Sequence, residues 1–271
     1  MSMFQTGVFA SKGYHGPKMI IFDFDGVLMS SLDEVVLTVY NAAVGDLVTS
    51  AAGLPGGLGR LFRRNRFHVQ QIGDGLTLMS WCISNYQREG DRILAPDEYR
   101  RIISGSAVPL AERTRRVYES RSLFIETDPD RWYGLHQPFQ PLWNVLKDQQ
   151  TQPVVILTHK NRDATRRLCR YFGLDVEENN IYSGDHSVGK VENIRSIFKR
   201  FRSQLYHFID DSIKNLHELN NAFNSKNRHL ELLFASWGYK GPEDEEVARL
   251  SGYPIFSQEE TIRLLISEPP K

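Results

Sequence analysis

Residues 19–27, Met-Ile-Ile-Phe-Asp-Phe-Asp-Gly-Val, constrain the fold more than any other stretch of the chain. An apolar run of this kind reads as a strand buried on both faces, and its charges fall where the strand ends. Asp23 and Asp25 stand two apart, so an extended backbone points both side chains the same way. Two carboxylates at the end of a buried strand repel one another unless something compensates. A divalent cation does so, and ligands that offer only oxygen favour Mg²⁺. Taken by itself, the segment also admits a plain turn built on Asp25-Gly26.

The second half of the chain repeats the theme. Pro153 to Thr158 reads as another buried strand, followed by a helix over 161–172 that Gly173 stops. A short strand over 180–184, a helix over 191–202, a strand from Leu205 to Asp211 and a strand from Leu230 to Ala235 follow. An edge strand near 253–256 and a helix over 258–266 close the series. Alternation of strands and helices predicts an α/β fold with a doubly wound parallel sheet, covered on both sides. Right-handed crossovers then bring the carboxyl ends of the strands to one rim.

Between residues 30 and 141 the pattern is helical instead. Asp33–Val44, Ile72–Gln87 and Val108–Ser120 carry apolar residues at helical spacing, and Pro96-Asp97-Glu98 reads as a helix start. The glycine-rich run 53–59 follows no strand and has no phosphate-loop form, so it reads as a mobile connection. These helices can bury their apolar faces only against one another. The expected division is an N-terminal extension over 1–17, a sheet domain over 18–29 and 142–271, and an inserted all-helical domain over 30–141. In the extension Phe4, Phe9 and Tyr14 are candidate anchors, and the first strand is expected to run from Lys18 to Phe24.

Composition narrows the partners. Lys+Arg and Asp+Glu are both 33, so no global field draws nucleic acid or a membrane surface. No apolar run reaches the roughly 18 residues a membrane span needs. Cys82 and Cys169 have neither metal-ligand nor CxxC spacing and are expected to be reduced, which fits a cytoplasmic protein. Arg60, Arg63, Arg64 and Arg66 read as a solvated helix face rather than a contact for an anionic substrate or a nucleic-acid backbone. Arg113, Arg115 and Arg116 read the same way. His207 is expected to face the core or the sheet.

Ligands of open α/β sheets sit at the carboxyl ends of the strands. Those ends hold Asp23, Asp25, Thr158, Asp210 and Asp211, and Lys190 starts a helix that can face the same rim. Acids for a cation, one hydroxyl and one ammonium suit a phosphate ester.

These residues carry a resemblance. Asp23-Phe-Asp-Gly-Val27, the strand ending in Thr158, Lys190 before a helix and Ile209-Asp210-Asp211 resemble, in order, the four motifs of the haloacid dehalogenase superfamily. The likeness covers the sheet domain, residues 18–30 and 142–260. It implies that Asp23 attacks phosphorus to form an aspartyl-phosphate and that Asp25 acts as general acid and base. It implies a Mg²⁺ ion on Asp23, the Asp25 carbonyl and Asp210, with Asp211 nearby. Thr158 and Lys190 would hold the phosphoryl group, with Gly26 and His159 as further phosphate-binding candidates. The long insert lies between Asp25 and Thr158, where family members carry a helical cap of the first type. Residues 159–189 leave no room for a second lid.

The resemblance thus implies a Mg²⁺-dependent phosphatase acting on a small phosphorylated metabolite. A phosphosugar mutase or other phosphoryl transferase would share every motif, and a regulatory protein that keeps the site unused is a third reading. Several positions depart from the common pattern: Val27 where Thr is frequent, Ser30 where Asp is frequent, and His159 where Asn often stands. Trp237-Gly238-Tyr239 resembles a segment of phosphoglycolate-phosphatase-like members, with its aromatics read as packing at the rim. The oligomeric state is not legible in the sequence.

Overall fold

The computed structural model describes residues 18–148, 152–185, 188–224 and 230–266. The N-terminal extension, with Phe4, Phe9 and Tyr14, lies outside them. In chain order the strands are β1 (Lys18–Phe22), β2 (Met29–Ser30), β3 (Gln137–Pro138), β4 (Val155–Leu157), β5 (Ile181–Tyr182), β6 (Leu205–Asp210), β7 (Leu230–Ala235) and β8 (Ile255–Phe256). The helices of the insert are α1 (Leu32–Val44), α2 (Leu58–Asn65), α3 (Ile72–Glu89), α4 (Pro96–Ser104), α5 (Leu110–Thr127) and α6 (Pro129–Gly134). Those that cover the sheet are α7 (Gln140–Asp148), α8 (Arg162–Tyr171), α9 (Lys190–Arg200), α10 (Ile213–Phe223), α11 (Asp244–Leu250) and α12 (Gln258–Ile266).

Six strands form one parallel sheet in the order β5-β4-β1-β6-β7-β8. The strand that opens the sheet domain therefore lies inside it. β1 has β6 along its whole length, from Lys18↔Leu205 to Phe22↔Ile209, and β4 on its other side. Its residues alternate between two apolar layers, as a strand buried on both faces must. Ile20 and Phe22 pack with Trp143, Leu146 and Leu168 on one face; Met19 and Ile21 pack with Ile194, Ile197 and Leu216 on the other. Each such buried side chain contributes about 1.5–3 kcal/mol, which fixes the strand ends that carry the acids. The chain winds one way from β1 to β4 and β5, and the other way from β6 to β8. The crevice of such a sheet opens where the winding reverses.

The insert leaves and returns through an antiparallel pair, Met29↔Pro138 and Ser30↔Gln137. Its helices enclose a third apolar cluster, with Val36, Val39, Phe62, Leu78, Met79 and Val117 at its centre. Among the described residues, no helix is long and apolar enough to cross a membrane.

Some boundaries differ from the sequence expectation. β1 ends at Phe22, although the Asp23 N–H continues the ladder onto the Ile209 carbonyl at 2.9 Å. Phe24 belongs to a turn, its carbonyl accepting from Leu28 and Met29. α5 runs on to Thr127 because Val117, Arg121 and Phe124 extend its buried face. Arg113, expected at the surface, is buried and pairs with Asp74 at 3.0 Å. Arg115 and Arg116 do stand at the surface, paired with Glu112. The glycine-rich run passes into a helix at its end: α2 begins at Leu58, and Leu58 and Gly59 are both buried. His207 is buried in β6 and pairs through Nε2 with Glu231 of β7 at 2.9 Å.

Candidate active site

Three acids close on one another at the rim. Asp23 follows β1, Asp210 ends β6, and Asp211 begins the loop to α10. One carboxylate oxygen from each lies within 4.8 Å of the others, and all three side chains are buried. Lys190, the first residue of α9, reaches in from the side. Its buried ammonium donates to Asp23 Oδ1 at 2.9 Å and to Asp210 Oδ2 at 2.6 Å. Asp210 also accepts from the Asn215 amide at 2.9 Å and the Ser212 N–H at 2.8 Å. It is therefore held on both oxygens.

Asp211 is positioned by space as well as by bonds. A Cβ at Gly26 or at Gly238 would overlap its side chain, so two glycines form the slot it fills. The Tyr239 N–H closes the slot by donating to Oδ2. Gly26 has a φ of 94°, a conformation that glycine adopts without a Cβ clash. Its N–H donates to the Met29 carbonyl at 2.8 Å. Expected among the phosphate-binding residues, Gly26 thus spends its backbone proton inside the turn; what it supplies is room for Asp211.

Charge explains what the acids lack. Burial pushes the Asp23 carboxyl up to about 7 despite Lys190, with repulsion from Asp210 and Asp25 adding to the effect. Burial, then the charges of Asp210 and Asp23, likewise raises Asp211 well above the carboxylate range. Burial pulls the Lys190 ammonium down, but its two carboxylates outweigh this and hold it protonated. The donor set is oxygen-only, acid-rich and desolvated, which fits a hard divalent cation.

Asp25 faces elsewhere. It is not among the three clustered acids, and its carboxylate pairs with Lys160, whose ammonium lies 3.2 Å from Oδ1 and 3.5 Å from Oδ2. Burial opposes ionisation of Asp25, yet Lys160 and the Ser31 hydroxyl outweigh it and lower its pKa. Thr158 is buried at the end of β4, and its hydroxyl oxygen accepts the Lys160 N–H at 3.0 Å, which leaves its own proton to donate. His159 beside it is kept neutral: burial, then the Lys190 charge, lowers its ring to about 4.

A cleft of about 60 Å³ joins these groups, lined by Asp23, Asp25, Thr158, His159, Lys160 and Asp211 from the sheet side. The insert supplies Arg66, Phe67, Val69 and Gln70 to the same cleft. A broader depression of about 530 Å³ runs along the exposed face of α5. Its Arg115 is already paired with Glu119, and none of the rim acids reaches it. Convergent polar groups, rather than size, mark the smaller cleft as the site.

No protein-family model matches the chain, and no curated protein matches it. Solved structures do. A protein predicted to be a phosphoglycolate phosphatase, from Haemophilus somnus, is 14% identical, with a TM-score of 0.55 over 91% of this chain and 97% of its own. A haloacid dehalogenase-like protein of unknown function from Agrobacterium tumefaciens is 15% identical, with a TM-score of 0.51 over 92% and 96%. Mycobacterium tuberculosis protein tyrosine kinase A is 17% identical, with a TM-score of 0.50 over 84% and 87%. The chain has the haloacid dehalogenase-like fold.

Within that fold, all six residues picked out at the strand ends and helix start reach one rim, Asp25 with its carboxylate turned aside. What sequence reasoning missed is a buried ionic chain behind Asp25. Lys160 is also 3.6 Å from Glu34 of α1, and Glu34 is gripped by Arg121 of α5 through two hydrogen bonds, at 2.7 and 3.1 Å. The Thr38 hydroxyl donates to Glu34 at 2.6 Å, and His136 Nε2 lies 3.9 Å away. Arg66 was missed too. It stands apart from Arg60, which is exposed, and from Arg63 and Arg64, which pair with Asp33 and Asp91. The guanidinium of Arg66 lies over the Tyr239 ring, 5.4 Å from its centre. Tyr239 and Trp237 do pack at the rim, bonding Ser31 N–H and the Val27 carbonyl, but Tyr239 lines the cleft as well.

Proposed function

We propose that this protein is a Mg²⁺-dependent phosphatase that hydrolyses a small phosphorylated metabolite through an aspartyl-phosphate. The observation that carries the reading is the Asp23 carboxylate, held by Lys190 at 2.9 Å inside a cluster of three buried acids. A carboxylate restrained in this way is poised as a nucleophile. Chains of one fold carry different activities, so the reading rests on the site.

In the proposed reaction an Asp23 oxygen bonds to phosphorus as the bond from phosphorus to the leaving oxygen breaks. Asp25 gives its proton to that oxygen. Water then attacks the aspartyl-phosphate, Asp25 takes a proton back, and Asp23 departs as a carboxylate. The ionised Asp25 that Lys160 favours suits this second half. The first half draws on the carboxylic acid, which an incoming phosphate dianion favours by repulsion. Thr158 and Lys190 hold the phosphoryl oxygens, and neutral His159 packs at their side. Asp23, Asp210, Asp211 and the Asp25 carbonyl would hold Mg²⁺, which supplies positive charge to the transferring group.

The proposed division is a sheet domain over 18–29 and 142–271 and a helical cap over 30–141. Arg66, Phe67 and Gln70 would then be the cap's contribution to the leaving-group side. At about 60 Å³ the cleft is far smaller than the ~300 Å³ or more of ordinary ligand sites, which supports a cap that opens to admit substrate and closes to exclude water. Both cysteines are free and buried, in keeping with a cytoplasmic setting.

The test is turnover of p-nitrophenyl phosphate and of a panel of phosphorylated metabolites, with sugar-phosphate isomerisation followed alongside. Mg²⁺-dependent release of phosphate that EDTA stops and Asp23→Asn abolishes is expected. Release that survives both treatments would sink the reading, and isomerisation without release would favour a mutase.

A further inference from the structure

The chain from Asp25 through Lys160 and Glu34 to Arg121 is buried along most of its length. The Lys160 side chain is 1% exposed, Glu34 is 0% and Arg121 is 4%. It contains two anions and two cations, so it is balanced as a set. Balance alone does not account for its presence, because an apolar replacement of a buried ionic set is often as stable. Its course is more telling. Arg121 and Glu34 belong to α5 and α1 of the insert, Lys160 follows β4, and the last member is an acid that faces the cleft. The Glu34 carboxylate is immobilised first: the Arg121 fork and Thr38 engage Oε1, and Arg121 also takes Oε2. The Oε2 side also faces Lys160, whose buried ammonium lies between Glu34 at 3.6 Å and Asp25 at 3.2 Å.

Asp25 needs such an anchor. Its side chain leaves a turn whose next residue has a positive φ, and no helix or strand fixes its rotamer. A general acid works only when its proton lies within hydrogen-bond reach of the leaving oxygen, about 2.6–3.2 Å. We propose that Glu34 and Lys160 are positioning residues: Glu34, fixed by the insert, anchors the Lys160 ammonium, and Lys160 sets where the Asp25 carboxyl stands against the leaving oxygen. The inference rests on the phosphatase reading, with Asp25 as the proton carrier. It gives the insert a share in the chemistry apart from covering the cleft.

The experiment compares two aryl esters of similar shape. Phenyl phosphate has a basic leaving oxygen that needs a proton; p-nitrophenyl phosphate does not. Asp25→Asn sets the scale by lowering kcat/KM far more on phenyl phosphate. Lys160→Met should cut kcat/KM, which ends at release of the alcohol and leaves out the hydrolysis common to both esters, by about tenfold to a hundredfold on phenyl phosphate and by less than about threefold on p-nitrophenyl phosphate, a fraction of the usual worth of acid help. Lys160→Arg should restore most of the loss. If Lys160→Met does not fold, Glu34→Gln/Lys160→Met removes one charge of each sign, keeps the set balanced, and should show the same selective loss. An equal loss on both esters, or none, in the variant that folds overturns the positioning role. An Asp25→Asn variant whose kcat/KM falls equally on both esters overturns Asp25 as the proton donor, and a wild type that releases phosphate from no ester overturns the phosphatase reading itself.

Discussion

The Asp211 carboxylate fills the space that a side chain at Gly26 would occupy. A motif glycine and a motif acid, far apart in sequence, are thus one steric unit. Gly26→Ala is expected to cost about 1–3 kcal/mol for the strained backbone alone and to displace Asp211 besides. Gly238→Ala carries no positive φ but crowds the same carboxylate, so it isolates the second effect. Both variants should bind Mg²⁺ at least about tenfold more weakly, or about 1.4 kcal/mol, as read by calorimetric titration. Unchanged affinity in both would show that the slot does not serve the cation.

The rim was legible because each of its residues ends an apolar run or begins a helix. Met19–Phe22 and Leu205–Ile209 advertise burial, so the acids after them had to be at an edge. The chain behind Asp25 was not legible for the opposite reason. Glu34 and Arg121 lie within helices, where a charge ordinarily marks the solvated face. The available signal was phase: Arg121 falls four residues after Val117 and three before Phe124, on the apolar stripe of α5. Glu34 likewise adjoins Val35 and precedes Thr38 by one turn. Arg66 escaped because it follows Arg60 and Arg64 in one basic run; phase separates them, since Arg66 falls four residues after Phe62 and seven after Gly59, on the buried side of α2.

The acid cluster predicts a metal response that precedes any chemistry. Asp23 and Asp210 share one ammonium, Lys190, and the third acid, Asp211, lies against them. Millimolar Mg²⁺ should therefore raise the melting temperature without substrate. Saturation to a hundred times Kd corresponds to about 2.7 kcal/mol. Asp210→Asn should remove most of the response; its one oxygen can still accept from Lys190 and Asn215, at the loss of the Ser212 N–H bond. Melting curves with Mg²⁺ and with EDTA decide this; identical curves for the wild type would mean that the acids hold no cation.

Glu34 predicts a pH signature of stability. Burial opposes its ionisation, but Arg121 and then Lys160 overcome this and hold its carboxyl far below the ordinary value of 4.5. A depressed folded value means that the unfolded chain takes up the proton first. The contribution is thus complete above pH 4.5 and drains away as pH falls from there toward the folded value. Breaking a buried ionic set costs about 3–5 kcal/mol, so Glu34→Gln should melt roughly ten degrees lower at neutral pH. The gap between wild type and variant should narrow below pH 4.5. A gap that stays constant across that range would mean that Glu34 contributes shape rather than charge.

Arg66 makes the last prediction. It lines the cleft from the insert side, and its Nη1 donates to the Val69 carbonyl at 2.7 Å. Its Nε is buried without a partner in the protein. An unmet buried donor costs about 1–3 kcal/mol, a cost that an acceptor arriving in the cleft would offset. If that acceptor is the bound ester, Arg66→Ala should raise KM about tenfold, or about 1.4 kcal/mol, with kcat nearly unchanged. Arg66→Lys should recover only part of the loss, because an ammonium lacks the planar fork that grips an anion at two points. Steady-state kinetics on whichever ester the protein turns over fastest gives the answer. A loss confined to kcat would place Arg66 with the reacting atoms instead, and an unchanged KM would leave its cation to the Val69 carbonyl and the Tyr239 ring.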